Sequence, residues 1–440
     1  MSAEGWPAPR PAGPVDAVCP LPGSKSESNR ALVLAALAGA PSRLIGVLRA
    51  RDSDLMIDAL CALGAQISDE PSESDGSPIL VVRPPDAFQA VPSGIDCGLA
   101  GTVMRFVPPI AALAPGTTRF FGDERAGERP MAPLLDGLRQ LGAEADADSL
   151  PFTLTAPHRL RGPEVAIDSS ASSQFVSALL LAAPRLPHGI VLHHTGSTVP
   201  SAPHIAMTVA MLRARGVEVD DSRPGVWRVS PGVIAARDQR IEPDLTNASV
   251  FLAAGVVSGG RVTVPGWPSL TTQPGDHIRH VLDALGARYE LVGDLLTAHA
   301  AGPLHGADLD LHAASELTPV VAALAVFAEG TTVIRGVGHI RGHETDRIAA
   351  IARELASLGV HVDELDDGLR IEGAGFEGTG LRPTRPLRAY ADHRLAHLAA
   401  IVGLKVPGVV LDDIAAVGKT MPDFTTRWDA MLAAGAGTRA

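Results

Sequence analysis

The sequence predicts an α/β protein of six repeated units grouped as two three-unit domains. Two observations carry this. The first is a helix-like segment that ends on a small Gly motif and runs into a short β-prone stretch. It recurs as ALGAQI (62–67), QLGAEA (140–145), ARGVEV (214–219), ALGARY (284–289), SLGVHV (357–362) and a frayed MLAAGAG (431–437). The glycines are Gly64, Gly142, Gly216, Gly286, Gly359 and Gly435, spaced by 78, 74, 70, 73 and 76 residues, so six units account for all 440 residues. The second is an Ala-rich apolar helix in each unit, opened by a polar cluster and closed by a β-branched run. The openings are SKSESNR (24–30), AGTVMR (100–105), SSQF (172–175), TNAS (246–249), SELT (315–318) and ADHR (391–394).

Each element has a local reason. Gly after a helix takes the left-handed conformation that stops it, and runs such as TTVI favour a strand. Each unit therefore reads helix, strand, helix, strand, with short strands between. A unit of about 73 residues buries too little surface to stand alone. Two groups of three follow, with a seam at residues 231–244 and domains at 24–242 and at 1–23 plus 243–440. Solenoid stacking is the alternative, but these units exceed the ~20–50 residues usual for such repeats.

Composition narrows the function. At 46% hydrophobic and 20% charged the chain is ordinary globular protein, and 45 Gly with 36 Pro fall short of low complexity. A net charge of −12 and 4% aromatic residues argue against nucleic-acid partners. Cys19, Cys61 and Cys97 form no CxxC pair, which fits a reducing compartment. The N-terminus lacks an apolar signal core, and apolar runs such as 248–257 and 320–328 are too short for a membrane helix. The expectation is a cytoplasmic monomer with no membrane partner.

The openings are also helix N-termini, where free N–H groups and the helix dipole favour anions. For TNAS and AGTV alone, plain capping is the expected reading. SKSESNR is different, because it places Lys25 and, one turn on, Arg30 where the dipole disfavours cations unless an anion completes the site. It is no Walker loop, since Gly23 is followed by Ser. The pairs His339/His343 and His393/His397 have metal-ligand spacing, but no third ligand cluster accompanies them.

PGSKSESNR, AGTVMR, ERPM (128–131), SSQF, GHETDR (342–347), ADHR and GKTMPD (418–423) stand in this order and together resemble the 5-enolpyruvylshikimate-3-phosphate synthase family over residues 20–428. The resemblance implies six βαβαββ-type units in two domains around an interdomain cleft, with the N-terminal strand shared with the second domain. It implies transfer of the enolpyruvyl group of phosphoenolpyruvate to the 5-hydroxyl of shikimate 3-phosphate, with release of phosphate and without metal or organic cofactor. The 5-hydroxyl adds to C2, C3 gains a proton, and elimination reverses that protonation. Such chemistry needs cations for two phosphates and a carboxylate, and acid/base groups beside the hydroxyl and the methylene.

Carried over by motif, Lys25, Ser26, Arg30, Ser172, Ser173, Gln174, Ser201, Glu316 and His343 resemble the shikimate-phosphate site. Lys25, Gly101, Arg129, Gln174, Arg347, Arg394 and Lys419 resemble the phosphoenolpyruvate site. The planar fork of Arg suits both anions. Glu316 matches the group that takes the 5-hydroxyl proton and Glu344 the one that serves C3, with Lys25 between both ligands. The structural alternatives are helix-end charge for Glu316 and an ion pair with Arg347 for Glu344.

Four residues depart from the family pattern. Glu316 stands for the commoner Asp, Leu99 for Asn, His204 for Tyr and His343 for Lys. His343 is expected to meet the shikimate ligand as a cation or N–H donor. Two rivals remain: the sister transferase acting on UDP-N-acetylglucosamine, which lacks SKSxSNR and usually has a loop Cys, and a non-catalytic phosphosugar-binding module.

Overall fold

The computed structural model describes residues 5–73 and 76–434. Its helices are Lys25–Ala36 (α1), Arg51–Ala62 (α2), Gly101–Ala111 (α3), Ala132–Gln140 (α4), Ser173–Ala182 (α5), Pro203–Arg213 (α6), Leu245–Val257 (α7), Ile278–Ala284 (α8), Thr318–Val326 (α9), Arg347–Ala356 (α10), His393–Gly403 (α11) and Phe424–Ala434 (α12). The chain divides into two compact units. One comprises residues 23–242, the other residues up to 22 with those from 243 onward.

The unit of residues 23–242 holds three sheets of one pattern, in which a first strand runs parallel to the second and the other contacts are antiparallel. They are Gln239–Arg240, Ser42–Ile45, Ile79–Arg83, Gln66–Glu70; then Ile95–Asp96, Gly116–Phe121, Phe152–Ala156, Glu144–Ala145; then Glu164–Ile167, Ile190–His194, Val226–Val229, Val219–Asp220. Each is a βαβαββ unit, and Gln239–Arg240 comes back from the end of the segment to supply the first strand of the first.

The other unit repeats the pattern. Asp16–Val18 lies parallel to Arg261–Pro265, followed across the sheet by Leu295–His299 and Arg288–Val292. Asp308–Asp310, Thr331–Arg335, Gly368–Glu372 and His361–Leu365 form the next sheet. In the last, Trp6–Pro7 pairs antiparallel with Val410–Leu411, and Leu387 bridges Leu411 in parallel. The N-terminal residues thus serve two units of this half.

Helix composition decides which layer each occupies. Every residue of α3, α7, α9 and α11 is buried; α7 and α9 are uncharged and largely apolar, while α3 and α11 also bury Arg105 and Arg394 within the two separate cores. The second helix of each unit, such as α2, α4 and α10, buries one face only. Gly64, Gly142, Gly216, Gly286 and Gly359 follow α2, α4, α6, α8 and α10, all at positive φ between 76° and 111°. Gly435 lies outside the described residues.

Two capping expectations fail. Asp244 caps α7 through the Asn247 amide, so TNAS lies inside the helix, and α3 begins at AGTV with no side-chain cap. No helix among the described residues is long and apolar enough to cross a membrane.

Candidate active site

In the unit of residues 23–242 the cations gather around the starts of α1, α3 and α5. Ser24 caps α1 by accepting the Glu27 amide, leaving Lys25 and Ser26 half-buried at its first turn. Lys25 Nζ donates to Asp52 Oδ2 at 3.3 Å, and Asp52 is buried at the start of α2. The next motif residues are structural: Ser28 accepts the Leu48 amide and Asn29 donates to Thr102.

Arg30 is fully buried. Its Nε donates to Thr208 Oγ1 at 2.7 Å, Nη1 to the Ser26 carbonyl and Nη2 to Ser177 Oγ and the His204 carbonyl, with the guanidinium over Phe106. Thr208 and Ser177 thereby lock the fork that the sequence reading put against the shikimate phosphate. Neither was legible as a site residue, since Ser and Thr inside apolar helices carry no pattern.

Gly101 lies between two guanidinium groups. A Cβ built there falls 2.9 Å from Arg105 Nη1 and 3.0 Å from Arg129 Nη2, so a methyl would have to push both guanidinium groups aside. Arg129 Nη1 donates to the Leu99 carbonyl at 3.0 Å, while Arg105 donates to the Pro130 carbonyl and reaches Gln174 Oε1 at 3.5 Å. Arg105, unassigned from sequence, therefore ties AGTVMR to ERPM and SSQF. Ser172 caps α5 through the Gln174 amide, with Ser173 buried behind it. Ser201 has φ of 50°, a left-handed conformation that is uncommon outside Gly and concentrates at functional sites.

In the other unit the site residues form a connected network. Buried Arg347 donates Nε to Asp392 Oδ2 at 2.7 Å, Nη2 to Glu344 Oε2 at 2.8 Å and Nη1 to His343 Nδ1 at 3.0 Å. Burial acts to lower the Arg347 pKa, but Asp392 and Glu344 outweigh it and hold the group above the usual arginine range. Lys419 Nζ donates to Glu344 Oε1, so Glu344 sits between two cations. Arg394 Nη2 lies 2.9 Å from Glu316 Oε2. The ion-pair alternative for Glu344 thus holds as a contact, and Glu316 likewise pairs with a residue of the expected anion clamp.

An arginine nitrogen can only donate, so His343 Nδ1 is the acceptor in its contact with Arg347.

Residues given no role in the sequence position the network. Asp392 both pairs with Arg347 and caps α11 through the Arg394 amide. Before it, Tyr390 and Ala391 have left-handed φ of 54° and 55°. Glu354, nearly buried, takes hydrogen bonds from Arg385, the Arg388 amide and the Tyr390 hydroxyl, fixing the loop that leads into ADHR. His339 donates to or accepts from Ser315 Oγ at 2.8 Å, and burial, His312 and Arg347 push its pKa down to about 4. Among the described residues, no group of three or more His, Cys, Asp or Glu side chains is placed to hold a metal ion.

The structure superposes on EPSP synthase from Acinetobacter baumannii with a TM-score of 0.77, at 22% identity over 96% of this chain and 97% of that one. A second structure of EPSP synthase from Acinetobacter baumannii gives 0.75 at the same identity. The enolpyruvyl transferase NikO from Streptomyces tendae gives 0.71, at 20% identity over 96% of each chain. Beyond the fold, the EPSP synthase (3-phosphoshikimate 1-carboxyvinyltransferase) family model matches residues 9–428. The chain belongs to that family.

Proposed function

We propose that the protein transfers the enolpyruvyl group of phosphoenolpyruvate to the 5-hydroxyl of shikimate 3-phosphate, releasing phosphate, in the cytoplasm. The observation that carries the acceptor is SKSESNR at the start of α1. Lys25 and Ser26 stand half-buried at its first turn, and Arg30 is fixed below them by the Thr208 and Ser177 hydroxyls and the His204 carbonyl. On this reading Ser172, Ser173, Gln174, Ser201 and His343 also meet the acceptor. Gly101, Arg129, Arg347, Arg394 and Lys419 meet phosphoenolpyruvate.

Glu316 takes the 5-hydroxyl proton as oxygen adds to C2, and Glu344 delivers a proton to C3, then removes it as phosphate departs. The ion pairs supply a trigger for this sequence. Arg394 with Glu316, and Arg347 and Lys419 with Glu344, favour ionised carboxylates. An anionic ligand that engages those cations weakens the bias and frees each carboxyl to exchange its proton.

Phosphate release from phosphoenolpyruvate should require shikimate 3-phosphate. Turnover with UDP-N-acetylglucosamine in its place would overturn the acceptor assignment, and tight binding without turnover would indicate a binding module.

A further inference from the structure

The residue between Ser26 and Ser28 is a carboxylic acid that none of this chemistry uses. Glu27 is buried in the first turn of α1. Its Oε1 accepts from Gln239 Nε2 at 2.7 Å and its Oε2 from the Glu242 backbone amide at 3.0 Å. Gln239 Oε1 accepts in turn from Nη1 of Arg215, which is fully buried at the end of α6 with Nε and Nη2 lacking hydrogen-bond partners. The Glu242 carbonyl accepts the Ser24 amide at 2.8 Å, so the segment 239–242 clips the α1 turn through both its backbone and Glu27.

This chain of contacts fixes proton direction. Arg215 can only donate, so Gln239 must turn its oxygen to Arg215 and its NH2 to Glu27. The Glu242 amide also only donates. Both Glu27 oxygens are therefore required as acceptors, which is the pattern of an ionised carboxylate. A proton on Glu27 either places a hydroxyl against a donor or forces the Gln239 amide to turn, setting its NH2 against Arg215.

We propose that Glu27 is a positioning residue whose protonation loosens the turn presenting Lys25 and Ser26, so that the phosphorylated acceptor binds more weakly below neutral pH. The proposal rests on the acceptor-site reading above. The groups facing Glu27 allow titration in this range. Burial and then the Glu242 charge push its pKa up to about 7, against the hydrogen bonds from the Glu242 amide and Gln239 and the more distant charge of Arg215. Arg215, drawn down to about 10 by burial and by Arg237, stays a cation throughout. Lys25, engaged with Asp52, and Arg30 are the charged groups on Glu27's own helix.

Fold and site want opposite protonation states. A carboxyl with a raised folded pKa lends stability below its unfolded value of about 4.5, and that stability is lost as pH rises towards 7. Acceptor binding should instead improve over the same rise. A merely structural Glu27 would move both in one direction.

The test is the KM for shikimate 3-phosphate between pH 6 and 8.5 in wild type, Glu27→Gln and Glu242→Gln, with the Glu242 amide followed by NMR in ligand-free protein. In wild type, KM should rise by up to about tenfold from pH 8 to pH 6, beyond the common effect of ligand ionisation, because one unit below the midpoint about nine in ten carboxyls are protonated. Glu27→Gln should show a raised KM at pH 8 that follows ligand ionisation alone, with kcat largely kept. Glu242→Gln should move the wild-type inflection to lower pH, which keeps the test open if Glu27→Gln does not fold. The Glu242 amide should titrate near pH 7 in wild type. Parallel KM profiles for wild type and Glu27→Gln, or an amide that does not titrate between pH 5.5 and 8.5, would overturn the proposal. Absence of wild-type turnover at every pH would count against the acceptor reading alone, and the amide titration would still decide for or against the Glu27 linkage.

Discussion

Arg347 shows how much of the site depends on contacts among its own residues. Asp392, Glu344 and His343 take its N–H groups, and Asp392 is completely buried. Breaking a buried pair by removing one partner costs ~3–5 kcal/mol, because the other charge stays in the interior. Asp392→Asn keeps the α11 cap but loses that charge, so denaturant unfolding should show a loss of this order and the KM for phosphoenolpyruvate should rise. At Gly101 an added methyl must displace the Arg105 and Arg129 guanidinium groups by a few tenths of an ångström, and overpacking costs ~1–3 kcal/mol. Gly101→Ala should raise the KM for phosphoenolpyruvate, and an unchanged KM would count against Gly101 lining that subsite. The histidines set acid sensitivity. Burial holds His397, packed on Phe424, down at about 3, and His339 at about 4. In both, the unfolded chain binds the proton more readily, so stability present above about pH 6.5 is lost as pH falls towards 4. His397→Leu should flatten that slope in thermal unfolding.

At the scale of elements, the five described glycine stops explain why the repeat was legible. A helix must end, and a left-handed residue after it excludes most side chains, so the position is written into the sequence. At Gly359, φ is 93° and no atom lies within 4 Å of the place a methyl would occupy. Gly359→Ala should therefore cost about 1–2 kcal/mol for backbone conformation alone, with kcat unchanged. Capping was read less well. Asp244 lies two residues before the TNAS cluster, and Ser, Thr and Asn inside a buried helix look the same in sequence as at its start. The two-residue strands, such as Ile95–Asp96 and Glu144–Ala145, leave no alternation to detect. Of the candidate site, the Lys and Arg at helix openings stood out against a weakly charged chain. Asp52, Arg105, Thr208 and Glu354 did not, because their role is to hold another residue and no spacing announces it.

For the whole molecule, the proposed reaction draws Lys25, Arg129 and Gln174 from one unit and Glu316, Arg347 and Arg394 from the other. The sequence by itself determined the number of units, their α/β character and the cationic motifs, because each is set by local propensity, helix ends and residue type. Only the tertiary structure decided which distant strands close each sheet, with Gln239–Arg240 beside Ser42–Ile45 and Trp6–Pro7 beside Val410–Leu411. It alone decided that Glu27 answers to Gln239 and Arg347 to Asp392. These pairings join residues far apart in the chain. They are selected by the requirement that buried charges and backbone groups find partners once the core has formed, and no local pattern encodes that.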